Sequence, residues 1–422
     1  MAPNVKAGRD EDGNGNGRRN VDSAGDDESD DDAQPSDPDA HLSAGLPGDR
    51  QPGGAAAPAR ASRSVRLRPA AAEPAAEPFA ALSPDAILNA IDGVLGLGPV
   101  AGVRTSGQVL ALNSYENRVF QVGLEASGEA PAPPGPVAPT ALIVKFYRPG
   151  RWTDAQILEE HAFLAELAQA EVPAVPPLVV NGASLHHAGD FRFALFERRG
   201  GRTPELSNPA VRERIGRFLG RLHMVGTRTA FAVRQRLDEQ TFGREPSTYL
   251  LDHEWLPPAL APVYAGLVDQ ALALVAQAFA RAGPVAFQRV HGDCHPGNLL
   301  WTETGAEPGP HFVDFDDSAM APAVQDLWML LSGSRTEMSA QLRDVLRGYE
   351  LFAPFDRSQL LLVEPLRTLR LIHYAAWIAR RWSDPAFPAA FPWFPDPRYW
   401  ESRVLELREQ IAAMQEPALV VD

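Results

Sequence analysis

Residues 291–301 read HGDCHPGNLLW, and residues 313–317 read VDFDD. Asp293 and Asn298 stand in the pattern D-x-x-x-x-N, and Pro296 with Gly297 between them enforces a turn that lets both side chains face one point. Leu299, Leu300 and Trp301, the turn-rich TETGAEPGP and the apolar His311, Phe312 and Val313 read as a β-hairpin that returns Asp314 beside that point. One aspartate can accept or orient the proton of an attacking hydroxyl. The asparagine and the second aspartate offer the hard oxygen donors that suit Mg2+. This is equipment for passing the γ-phosphoryl group of ATP to an alcohol.

Other readings of the same stretch are weaker. The alternation His291, Asp293, His295 would place three metal ligands on one side of an extended strand, as in a metallohydrolase, but no later motif supplies a fourth ligand. His291 and His295 are better read as hydrogen-bonding the loop backbone. Cys294, the chain's one cysteine, reads as a small buried residue rather than a reactive thiol. Asp316 and Asp317 read equally well as helpers at a second metal site and as a solvated acidic turn.

A phosphoryl-transfer site also needs a cation on the triphosphate. Lys145 lies within the apolar strand ALIVKFY, where an ammonium is costly unless paired. In the helix that follows, Glu160 shares a face with Phe163, Leu164 and Leu167 at steps of three, four and seven, whereas Glu159 does not. A Lys145–Glu160 ion pair is therefore expected. The turn at residues 113–116, between two short extended segments, would cover the phosphates with backbone N–H groups and the Ser114 hydroxyl. The strand FRFALFE, ending at Glu197 before Gly200 and Gly201, fits a hinge whose backbone would bind adenine.

These elements must be carried by a suitable frame. A meander of at least three antiparallel strands precedes long helical patterns, VRERIGRFLGRLHMVG and LAPVYAGLVDQALALVAQAFARAG among them. The expected fold is α+β and bilobal, with a nucleotide-binding lobe over 79–200 and a helical lobe with catalytic loop and substrate cleft over 201–422. Residues 1–78 form an acidic, Pro- and Ala-rich segment that lacks the apolar residues to offset its ordering entropy, and a disordered tail is expected.

HGDCHPGNLLW followed by VDFDDSAMAPAVQDLWMLLSG resembles the aminoglycoside phosphotransferase and choline kinase superfamily, which has a protein-kinase-like fold. LNSYENRVFQV, VKFYRPGRWTDAQILEEH, VEPLRTLRLIHYAAWIARRW and DPAFPAAFPWF further resemble the bacterial stress response kinase A family, over nearly all of residues 80–418. The resemblance implies an ATP- and Mg2+-dependent kinase of protein serine or threonine with a part in bacterial stress response. It implies Asp293 as proton acceptor, Asn298 and Asp314 as metal ligands and Ser114 as a nucleotide-loop contact. A kinase of amino alcohols, amino acids or aminoglycosides would share all of these residues and is the alternative.

Departures from ordinary protein kinases carry information. Gly292 stands where an arginine usually precedes the catalytic aspartate, Asp314-Phe315-Asp316 lacks the usual glycine, and the stretch to Asp326 is short. A constitutively competent site is expected, without an activation-loop phosphate. Asp326 is expected to cap the helix LWMLLSG and to support the catalytic loop. Glu364, Arg367, Arg370, Tyr374 and Trp377 recur at helical steps, either as a half-buried face or as a wall of the acceptor cleft. The segment FPAAFPWFPDPRYW is expected to pack over that helix.

Composition narrows the classes further. The 422 residues suffice for two folded domains. A formal charge of −15 disfavours nucleic acid as a partner. No uninterrupted apolar run reaches the roughly 18 residues of a membrane span, so no membrane partner is expected. The polar start MAPNVKAGRDEDG does not read as a secretory signal, which makes the cytoplasm the expected location. A monomer is the expected state.

Overall fold

The computed structural model describes residues 77–95, 103–112, 114–126, 140–303 and 309–421. Residues 1–76 of the expected tail, Asn113 of the nucleotide turn, residues 127–139 of the Pro-rich loop and residues 304–308 of the hairpin turn lie outside the described residues.

The first lobe is built on a five-stranded antiparallel sheet in the order β1-β2-β3-β5-β4. Its strands are β1 (Val103–Leu112), β2 (Arg118–Ala126), β3 (Ala141–Tyr147), β4 (His186–Ala188) and β5 (Phe191–Glu197). The short β4 carries too little pattern to be seen in the sequence. Alternation along β3 sends Leu142, Val144 and Phe146 into a core with Phe193, Leu195 and the buried Ile87, Ile91 and Leu95 of helix α1 (Pro84–Leu95). The same alternation turns Lys145 and Tyr147 to the other face. There Tyr147 packs with Ile157 of helix α2 (Asp154–Gln169).

Helix α2 starts where the sequence dictates. Thr153 and Gln156 form a reciprocal capping box, each satisfying a backbone N–H of the other's turn. Its buried stripe of Ile157, Glu160, His161, Phe163, Leu164 and Leu167 faces the lobe junction.

The second lobe contains α3 (Pro209–Gly226), α4 (Glu245–Asp252), α5 (Ala261–Ala282), α6 (Val324–Trp328), α7 (Arg335–Tyr349), α8 (Val363–Arg380), α9 (Ala386–Ala390) and α10 (Pro397–Ala413). Two small ribbons complete it, β6 (Gln288–Val290) against β9 (Ala319–Ala321) and β7 (Leu299–Thr302) against β8 (Gly309–Phe312). The ribbons carry the loops with the chemical residues, and the helices form the platform beneath. Phe387, Phe391, Phe394, Tyr399 and Trp400 of the aromatic segment sit in the same core as α8, as expected.

Helix α5 is long and apolar enough to cross a membrane by length and composition. Its buried residues Tyr264, Val268, Ala271, Leu272, Val275, Ala278 and Ala282 recur at helical steps and join the lobe's core. That pattern is the stripe of a helix packed on one side.

Helices α3 and α7 meet backbone to backbone. A Cβ on Gly216 would stand 1.9 Å from the carbonyl oxygen of Val345, and one on Gly348 would stand 1.9 Å from that of Glu213. No rotamer change relieves a clash with a backbone carbonyl. Gly216→Val should therefore lower stability by about 1–3 kcal/mol, read as a lower urea midpoint in equilibrium unfolding. An unchanged midpoint would mean the two helices are not in contact here.

Candidate active site

The loop of residues 291–298, expected to be catalytic, is fixed from beneath by Asp326. This carboxylate accepts the backbone N–H groups of His291 at 2.8 Å and Gly292 at 2.9 Å, and its Oδ2 lies 3.0 Å from His223 Nε2. The other ring nitrogen of His223 lies 3.0 Å from the Tyr349 hydroxyl, so α3 and α7 brace the loop through one chain of polar contacts. The expectation of an N-cap is corrected: Asp326 sits inside the short helix α6, the cap position belongs to Ala323, and the helix ends at Trp328. Its carboxylate is taken by the loop, and supporting that loop is the part of the expectation that stands.

Gly292 has φ +85°, and a Cβ there would stand 2.2 Å from the Asp317 carbonyl oxygen. The position has no room for the arginine of ordinary protein kinases. His291 faces inward, with Nε2 2.9 Å from the Val313 carbonyl and Nδ1 accepting the Asp293 N–H at 3.3 Å. His295 Nδ1 accepts the Gly297 N–H at 3.0 Å. Both histidines thus hold loop backbone. Cys294 is fully buried, and burial pushes its thiol well above the ordinary range.

The turn through Pro296 and Gly297 is one turn of 3-10 helix, and it brings Asn298 back to Asp293. Asn298 Nδ2 donates to the Asp293 carbonyl at 2.9 Å and to Asp293 Oδ2 at 3.3 Å. That leaves its amide oxygen as the atom available to a cation. Asp293 Oδ1 lies 2.6 Å from Arg370 Nη1 of α8. Burial alone would raise the Asp293 carboxyl, but Arg370, His295 and His291 outweigh it and hold it below the ordinary carboxylate range. It is a carboxylate at neutral pH.

Asp314 leaves β8 in the left-handed region, φ 59° and ψ 64°, with its side chain about half exposed. Phe315 is buried against Phe163 of α2 and His291. Lys145 sits among three carboxylates, 3.0 Å from Asp316, 3.3 Å from Asp314 and 3.8 Å from Glu160. Burial works against its charge, but Asp316, Glu160 and Asp314 together hold its pKa well above the ordinary lysine value.

The expected Lys145–Glu160 pair is present, yet Asp316 is the nearer partner. Glu160 is shared with Arg234, whose Nη1 lies 3.2 Å away and whose guanidinium also donates to the carbonyls of Ser318 at 2.8 Å and Gln156 at 2.9 Å. Asp316, the subject of an open choice in the sequence, is buried and also paired with Arg151, so it is no solvated turn. Burial alone would raise its carboxyl, but Arg151, Lys145 and Arg234 hold it far below the ordinary range. Asp317, more exposed, pairs with Arg151 at 2.5 Å.

Ser114 is described at the head of the turn between β1 and β2. Two residues on, Glu116 turns toward the second lobe, where it accepts the Trp377 indole N–H at 2.6 Å and pairs with Arg381. Arg148 holds it from the sheet at 3.1 Å. Glu197 ends β5 with its carboxylate exposed and 2.5 Å from Arg199, outside the carboxylate cluster, so only its backbone remains for a nucleotide base. Sequence reasoning missed Arg151, Arg234, Glu116, Arg381 and His223. Glu116, Arg151, His223 and Arg381 lay in segments already singled out and Arg234 did not, but the partners of all five come from distant parts of the chain and leave no local signal.

Asn298 and Asp314 present oxygen donors of the type that fits Mg2+ rather than a soft metal. Among the described residues no group of three His, Cys, Asp or Glu side chains is assembled as an all-protein metal cage.

Residues 108–362 match the Phosphotransferase enzyme family. Over 341 residues, 81% of this chain and 96% of the relative, the chain is 40% identical to stress response kinase A of Escherichia coli strain K12. Over the same length and shares it is 38% identical to a Salmonella typhimurium protein named serine/threonine protein kinase RdoA. Among solved structures, an amicoumacin kinase in complex with AMP-PNP, Ca2+ and its substrate aligns with a TM-score of 0.54 at 18% identity, covering 75% of this chain and 91% of that one. A microcompartment-associated aminopropanol kinase gives the same score and identity, covering 77% and 97%. These two structures share the bilobal kinase-like fold.

Removing the Asp326 carboxylate would strand two buried backbone N–H groups and His223. Asp326→Ala should cost about 3 kcal/mol or more in denaturant unfolding. A loss below about 1 kcal/mol would contradict its place as the loop's anchor.

Proposed function

Because the chain belongs to the stress response kinase A family of phosphotransferases, we propose that it is an ATP- and Mg2+-dependent serine/threonine protein kinase serving bacterial stress response. The observation that carries the reading is the convergence of Lys145 of the sheet, Asp314 and Asp316 of the second lobe and Glu160 of α2 on one point. The catalytic loop with Asp293 and Asn298 is anchored in the same lobe as Asp314.

In this reading the Lys145 ammonium engages the α- and β-phosphates, and Glu160 with Arg234 keeps it aimed there. The backbone of residues 114–117 covers the phosphates, with the Ser114 hydroxyl as a further donor. The backbone after β5 takes the adenine edge. Mg2+, held by the Asn298 amide oxygen and the Asp314 carboxylate, would supply charge neutralisation on the β- and γ-oxygens. Asp293 accepts the proton of the acceptor hydroxyl, being ionised at neutral pH. Most of the rate acceleration then comes from positioning and charge stabilisation.

Residues 314–326 are occupied by one 3-10 turn, β9 and the start of α6. There is no length for an activation loop, which supports a site competent without phosphorylation. A small-molecule kinase is the second reading, favoured by the names of the two structural neighbours, an amicoumacin kinase and an aminopropanol kinase.

The test is transfer of γ-labelled phosphate from ATP and Mg2+ by the purified chain, with generic protein acceptors and a panel of amino alcohols and aminoglycosides in parallel. Phosphoserine or phosphothreonine on protein is expected. Label confined to small molecules would move the function to a metabolite or resistance kinase. Asp293→Asn should lower turnover by about 10²-fold to 10⁴-fold with ATP affinity retained, and turnover at the parental rate would remove Asp293 from the role of base.

A further inference from the structure

Helix α8 is buried on nearly every side. Its partly exposed positions are Arg367, Arg370, His373 and Trp377, at steps of three, three and four, and Arg381 continues the line one turn past them. The line has a direction. At one point Arg370 reaches Asp293 of the catalytic loop at 2.6 Å, and at its far end Trp377 and Arg381 reach Glu116 beside the nucleotide turn. Arg370 thus places this face directly against Asp293, the carboxylate read as the acceptor's base.

We propose that this arginine stripe makes the acceptor side select a hydroxyl flanked by carboxylates, such as a serine or threonine within an acidic peptide. The inference rests on the phosphotransferase reading of the same site.

The carboxylates along this face are already engaged. Asp293 is held by Arg370, Glu116 by Arg148 and Arg381, Asp317 by Arg151, and the buried Asp384 by Arg118 and Arg148. Glu364, at the head of the stripe, is held by Arg367 at 3.2 Å and Arg335 at 3.9 Å. A cationic acceptor would have to share a carboxylate that already serves one or two guanidinium groups, and so would lose attraction to the positive charge already on it. A carboxylate-bearing acceptor faces no such loss, since a guanidinium with five N–H donors can bridge two carboxylates. The local field has the same sign: burial together with Arg381, Arg370, Arg380 and Arg151 holds the His373 imidazole down to about 3. Amino alcohols and aminoglycosides carry the opposite charge to the one this face invites.

The chain contains such a sequence itself, Ser29 within the acidic run of residues 26–32. The experiment compares three peptides as acceptors for the purified full chain with γ-labelled ATP and Mg2+. One is the chain's own GDDESDDDA, one has lysine at every acidic position, and one has asparagine there. The acidic peptide is expected to exceed the lysine peptide in kcat/KM by about tenfold or more, expressed in KM and shrinking as salt is raised. Arg370→Gln is expected to raise KM for the acidic peptide while KM for ATP stays within about twofold. Equal use of the three peptides, preference for the lysine peptide, or label on amino alcohols alone would overturn the inference and leave the phosphotransferase reading standing. Absence of phosphoryl transfer to every acceptor would overturn that reading, and this inference with it.

Discussion

A lysine ammonium on an inward-facing strand position cannot be left unpaired, because desolvating a charge costs several kcal/mol unless opposite charges surround it. Lys145 meets that constraint by drawing carboxylates from both lobes: Glu160 from α2, Asp314 and Asp316 from the segment after β8. Those carboxylates would repel one another without it. Arg151 and Arg234 then balance the excess negative charge, and Arg234 doubles as a tie to the backbone of Ser318 and Gln156. The lobes are thus joined at this point by a charge cluster, and in the proposed function the same cluster would serve as the phosphate site once a triphosphate with its cation shares the ammonium.

The second lobe answers a different problem, that of holding a sharp polar loop still. Asp326 serves the catalytic loop as a receptor for two N–H groups, His223 and Tyr349 hold Asp326, and α3 and α7 approach closely enough at Gly216 and Gly348 to keep those two side chains in register. Gly292 permits the loop to press against Asp317. Buried polar chains of this kind are stabilising only when complete, so the loop and its platform stand or fall together.

Much of this was legible in the sequence because it is local. The alternation in ALIVKFY placed Lys145 opposite the apolar face of β3, the helical steps in α2 separated Glu160 from Glu159, and Pro296 with Gly297 forced the turn that joins Asn298 to Asp293. What the sequence hid is long-range. Arg234 lies 74 positions from Glu160, and Arg381 acts through the folding of α8 against a turn far earlier in the chain, with nothing in their neighbours to mark them; Arg370 was legible as a helix-face position, but its partner Asp293 was not. Asp326 was misread as a cap for the same reason: its local context fits a helix start, whereas its partners come from a distant loop and a distant helix.

In the proposed function the Lys145 cluster with Asn298 and Asp314 forms a Mg2+-assisted triphosphate site. Calorimetric titration of the purified chain with ATP, in Mg2+ and again in EDTA, tests it most directly. The account predicts binding in Mg2+ that weakens by about tenfold or more in EDTA, because a bare triphosphate would meet the carboxylates of Asp314 and Asp316 unscreened. ATP binding that is indifferent to Mg2+, or no ATP binding in its presence, would contradict it.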